Sequence, residues 1–127
     1  MQAGGQAAPE VVALKWRSVR ALSAEMIDHD MVEAVYAQPR MRQFFPLVSH
    51  GSLQFSRCTE FPWTNDIPAL FPSAGGGFVV IRMWEPNGSE RQQVGWVKTL
   101  EEAAALIVAE IPAGWGPAVN GTADDVY

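Results

Sequence analysis

One of the chain's two histidines and its single cysteine fall in "SHGSLQFSRCT", Ser49 to Thr59. Cysteine beside histidine is the pairing of nucleophilic catalysis, in which the imidazole takes the thiol proton. Spacing argues against it here. If the stretch is one extended strand, the path from His50 to Cys58 covers about 26 Å at ~3.3 Å per residue. A dyad needs ~3 Å, which is met only if the strand ends early or folds back.

Alternation suggests a second chemistry. His50, Ser52, Gln54, Ser56 and Cys58 share one parity, and Leu53, Phe55 and Arg57 share the other. A polar but uncharged row fits either the wall of a wet, ligand-binding cavity or an ordinary exposed or edge face. Arg57 lies on the apolar parity. Buried there, it needs a carboxylate, with Glu60, Asp66 and Glu85 the candidates; at a strand end it reaches water instead. Facing a cavity with His50 or Asp66, it becomes an anion clamp. In "FPWTND", Trp63, Thr64, Asn65 and Asp66 stand in a loop between prolines, suited to substrate contact or to an Asx turn under a packing aromatic.

The candidate catalytic residues are therefore His50, Arg57 and Asp66. His50 would move protons, because histidine titrates near neutrality, and Arg57 would stabilise developing negative charge. Ser52, Gln54, Ser56, Cys58 and Trp63 would bind substrate. His29, between Asp28 and Asp30, reads as a surface residue. Two separated histidines and one cysteine give no metal-ligand spacing, and "GGG" precedes a strand, not a helix, so neither metal nor cofactor is expected.

These side chains must be held by a scaffold. Pro9 opens a helix in which Val12, Trp16 and Val19 form one stripe, although Val12, Leu14 and Trp16 also alternate as in a strand. Asp30 and Glu33 resemble a capping box opening a second helix over Met31 to Ala37. Leu47 to Thr59 alternates as one half-buried strand. Pro62, Pro68 and Pro72 make the next segment an irregular excursion or edge piece, extended around Ile67 to Phe71. Phe78 to Trp84 and Gln93 to Lys98 read as paired strands across Pro86-Asn87-Gly88. Thr99 and Glu102 form a capping box for a helix that Pro112 closes, with Leu100, Ala104, Ile107, Val108 and Ile111 on the face laid against the sheet. The expected fold class is α+β: two N-terminal helices, an antiparallel sheet of three to four strands, and a C-terminal helix packed on the sheet. Residues 1–127 form a single domain, with 1–9 a flexible tail and 113–127 an irregular one.

Composition bounds the function. The 127 residues are 48% hydrophobic and include five Trp and six Phe, enough for one core and for an aromatic-lined pocket. A net charge of −5, with nine scattered Lys and Arg, leaves no basic footprint for nucleic acid. No window has the ~18 apolar residues that cross a bilayer, and the start lacks a signal peptide's features, so no membrane partner and a cytoplasmic location are expected.

The stretch "YAQPRMRQFFPLVSHGSLQFSRCTEFPWTNDIP", with "TLEEAAALIVAEIPAGWGPAV" and "NGTADD", resembles a family of small actinobacterial proteins of unknown function labelled "natural product biosynthesis protein". The likeness spans roughly residues 30–125. Its pattern is matched by Pro39, Arg40, Arg42, Phe45, Pro46, Ser49, His50, Gly51, Leu53, Phe55 to Thr59, Phe61 and Pro62, while Met41 and Leu47 depart conservatively. The resemblance implies specialised metabolism and a shared role for His50, Ser56, Arg57 and Cys58. The leading expectation is a small, cofactor-independent tailoring enzyme promoting cyclisation, isomerisation or hydrolysis of an organic intermediate. The alternatives are an accessory or binding protein for a partner biosynthetic enzyme, and an immunity-type protein-binding module; a homodimer is possible in each case.

Overall fold

A computed structural model of the chain describes residues 7–127. In chain order come α1 (Ala8–Arg20), α2 (His29–Tyr36), a 3-10 turn (Met41–Gln43), β1 (Phe45–Ser49), β2 (Ser52–Ser56), β3 (Ala69–Pro72), β4 (Phe78–Ile81), β5 (Gln93–Val97), α3 (Leu100–Glu110) and a last 3-10 turn (Ala123–Asp125). The architecture is α+β, as the sequence leads one to expect. The sheet has five antiparallel strands in the order β1-β2-β3-β4-β5, not three or four.

The extra strand comes from the stretch read as one continuous run. Ser49 and Ser52 pair across a two-residue turn, in which His50 has φ 50° and Gly51 φ 77°. Positive φ at both central residues is the signature of a type I′ hairpin turn, usually announced by Asn-Gly or Asp-Gly. His-Gly carries the same geometry under a weaker signal. A second correction concerns β3, which lies at the centre of the sheet and not at its edge. Pro72 ends the strand and Pro68 precedes it, so the missing N–H groups fall at its margins.

Register assigns the faces. Leu53 pairs Leu70, Leu70 pairs Val80, and Val80 pairs Gly95, placing these residues in one row. Leu53, Leu70 and Val80 are fully buried in the core with Ala103, Ala104 and Ile107 of α3. At Gly95 an added Cβ would come within 3.2 Å of Leu106, so the glycine lets α3 approach closely. Trp16 of α1 fills the other half of this face. Its ring lies 6.4 Å from Phe55, and its indole N–H donates to the Phe44 carbonyl at 2.9 Å.

The helix starts follow local chemistry, with one correction. Pro9 stands in the first turn of α1, whose buried residues are Val12, Trp16 and Val19. The cap of α2 is Asp28, which accepts from the Asp30 N–H, and not Asp30. Glu33 does not turn back to the cap; its carboxylate pairs with Arg20 of α1 at 2.8 Å, tying the two helices together. Thr99 and Glu102 form the capping box of α3.

Residues 113–127 are irregular apart from the closing turn, yet firmly tied down. Val119 N–H donates to the Arg57 carbonyl (3.0 Å), Thr59 N–H to the Val119 carbonyl (3.2 Å) and Glu60 N–H to the Gly121 carbonyl (2.8 Å). Of the N-terminal tail expected over 1–9, residues 1–6 lie outside the described residues, while Ala8 and Pro9 already belong to α1. Among the described residues no helix is long and apolar enough to cross a membrane.

Candidate functional site

The sheet face opposite the helices carries Phe45, Leu47, Ser52, Gln54 and Ser56, since Phe45 pairs Ser56 and Leu47 pairs Gln54. One end of this face opens into a cleft of about 230 Å³. Leu47 and Gln54 form the floor with Ile67 and Met83, and the loop from Phe61 to Asn65 forms the wall. Trp63 stacks on Phe45 with ring centroids 5.4 Å apart, and Phe61 stands edge-on to Trp63 at 6.2 Å. Phe61 is 76% exposed, an apolar ring left largely to solvent beside the opening.

Short hydroxyl side chains hold the wall in place. The Ser56 hydroxyl accepts from the N–H of Cys58 (3.1 Å) and of Thr64 (3.2 Å), and Thr64 Oγ1 accepts from the Arg57 N–H (2.8 Å). Residues 57–64 thereby fold back onto the end of β2. The Cys58 thiol is fully buried inside this bend, directed at the Glu60 and Pro62 carbonyls.

Arg57 and Asp66 meet nearby. Arg57 Nη1 lies 2.9 Å from Asp66 Oδ2, and the guanidinium lies 3.7 Å from the centre of the Trp115 ring. The Tyr127 hydroxyl donates to the same Oδ2. Asp66 Oδ1 is buried with no hydrogen-bond partner among the described residues. Burial raises the Tyr127 phenol above its ordinary range, and the hydrogen bond to Asp66 and that carboxylate's charge raise it further.

A family model matches residues 10–122, from the first turn of α1 to the tail strapped against Thr59. The chain belongs to DUF6193, a family of unknown function. No curated protein and no solved structure matches it. Within this DUF6193 chain the matched span takes in the hairpin, the cleft and the Arg57–Asp66 pair, and stops short of Tyr127.

The sequence-derived candidates do not gather in one place. Arg57 and Asp66 come together as a pair, with Asp66 the partner among the three acids considered. His50 does not join them. It is exposed at the tip of the hairpin, its Nδ1 3.2 Å from Ser49 Oγ, with the whole of β2 (about 17 Å at ~3.3 Å per residue) between it and Arg57. Of the binding set, Gln54 and Trp63 line the cleft. Ser52, Ser56 and Cys58 are fully buried, Ser52 donating to the Ser49 carbonyl and the other two holding the bend. The "FPWTND" loop singled out in the sequence does border the cleft with Thr64 and Asn65, whereas sequence reasoning missed Leu47, Phe61 and Met83 there, and Trp115 and Tyr127 beside Arg57. Recognising the His-Gly turn would have placed Leu47 opposite Gln54. No local signal marks Trp115 or Tyr127. Among the described residues no group of three or more His, Cys, Asp or Glu gathers as a set of metal ligands.

Proposed function

We propose that this chain is a binding protein that holds a flat, uncharged organic group in the Phe61–Trp63 cleft. One observation carries the reading: the cleft is lined by aromatic, aliphatic and amide or hydroxyl side chains, with no Asp, Glu, Lys, Arg, His or Cys among them. Such a lining offers stacking area and a few neutral hydrogen bonds, and nothing that titrates. The Phe45–Trp63 stack extends naturally to one further ring beside the exposed Phe61. Burying a charged ligand against this surface is unfavourable, because no counter-charge faces it. The resemblance to natural product biosynthesis proteins supports drawing the ligand from the intermediates of specialised metabolism, with the protein as accessory to a partner enzyme.

The test is an NMR titration of the 15N-labelled protein with naphthalene, with Trp63→Ala as control. Shifts are expected at Phe61, Trp63 and Asn65, and Trp63→Ala weakens binding about five-fold, in line with the ~1 kcal/mol of an aromatic pair. Shifts confined to other faces would refute the reading.

A further inference from the structure

Hydrogen bonding beneath the cleft restricts its ligand further, on the reading that the cleft binds a flat neutral ring. The Ser52 hydroxyl donates its single hydrogen to the Ser49 carbonyl, inside the hairpin turn. With that hydrogen committed, Ser52 Oγ can only accept. Its donor is Gln54 Nε2, at 3.0 Å. This chain of two bonds fixes which way the Gln54 amide points, a choice otherwise open for a glutamine. Nitrogen faces Ser52, and Oε1 is left as the carbonyl that no described residue donates to.

Gln54 is part of the cleft lining, on the floor opposite Leu47. The other two polar side chains there differ in kind. Thr64 Oγ1 already accepts from the Arg57 N–H and lies 3.4 Å from Ser56 Oγ, so its hydroxyl is taken up by the bend. Asn65 is exposed, and its amide is free to turn either end toward a ligand. Only Gln54 therefore presents a fixed polarity.

We infer that the cleft selects a flat ring bearing an O–H or N–H donor, which Gln54 Oε1 accepts, over the same ring bearing only an acceptor. Phenolic and indolic compounds belong to the favoured class, and their O- or N-methylated counterparts do not. An acceptor-only ligand would set its lone pair against the Gln54 carbonyl and leave that carbonyl unpaired, which costs affinity where water is displaced.

The probes are 2-naphthol and 2-methoxynaphthalene, which share a ring system and differ in the donor. Titrated into the full chain, 2-naphthol is expected to bind about ten-fold more tightly, the worth of one hydrogen bond in a partly dry site. In Gln54→Met, of similar length and without the carbonyl, the preference should fall to near one-fold, with the melting temperature checking the fold. A second readout needs no variant. The 13C shift of the Gln54 side-chain carbonyl in the wild-type protein should move with 2-naphthol and stay still with 2-methoxynaphthalene. Equal affinity for the two probes would overturn the donor rule and leave the binding reading intact. A preference surviving in Gln54→Met would overturn the part given to Gln54. Binding of neither probe would overturn both readings.

Discussion

Ser56 shows how much one hydroxyl can hold. It accepts two backbone N–H groups, from Cys58 and Thr64, in a place water does not reach. Ser56→Ala leaves both donors buried and unpaired, so a loss of about 2 kcal/mol is expected in denaturant unfolding, with the cleft wall loosened as well. His50 makes the opposite case. Its φ of 50° is one that asparagine accepts more readily. His50→Asn should therefore hold or raise stability, by up to about 1 kcal/mol, since Asn-Gly is the favoured pair for this turn. Ligand affinity in the cleft should not change, because the turn lies at the far end of β2. A fall in affinity would show that the tip communicates with the cleft.

Between elements, the Arg20–Glu33 pair joins α1 to α2, with the Arg20 guanidinium also 4.1 Å from the Tyr36 ring centre. The hydrogen bond from Arg20 holds the Glu33 carboxyl below the usual carboxylate range. A depressed folded-state pKa means that the pair stabilises the fold above the unfolded carboxylate's range and loses its effect as pH falls through the folded value. Glu33→Gln should thus lower the melting temperature by at most a few degrees at pH 7, since both side chains are well exposed. The gap to wild type should close as pH drops below about 4. A gap that persists into acid would assign the effect to packing, not charge. The tail is another inter-element tie, and its backbone bonds to Arg57, Thr59 and Glu60 make it an added edge to the bend.

For the molecule as a whole, the helices cover one face of the sheet and leave the other to its own aromatics. Phe71 pairs Val79 and Val79 pairs Trp96 along that open face, with Trp96 47% exposed. Leu53, Leu70 and Val80 put the main core on the helix side, and the Phe61–Asn65 loop borders the cleft on the other face. The net charge of −5 sets the long-range behaviour. No retention on duplex DNA is expected at physiological salt, measured by gel shift or anisotropy, because phosphate neutralisation needs clustered Lys and Arg. Binding that weakens steeply with salt would contradict this.

Features that depend on neighbours along the chain are legible before any fold is known. Pro9, the Thr99–Glu102 box and the Val12, Trp16, Val19 stripe place α1 and α3. Alternation marks Leu47 to Thr59 as extended without showing its turn, and the parity of Leu53 and Phe55 gives the buried face. The tertiary structure decided what depends on residues far apart. His-Gly could fold the strand back only where the paired halves also buried Leu53 against Leu70 and Phe55 against Trp16 of α1. Arg57 could choose among three acids only once the loop had returned to the end of β2. Trp115 and Tyr127 reach Arg57 from roughly sixty to seventy positions away, because the tail is drawn in by backbone bonds at Arg57 and Thr59. A periodicity is written into any dozen residues, whereas a contact between distant segments exists only after the chain has closed on itself.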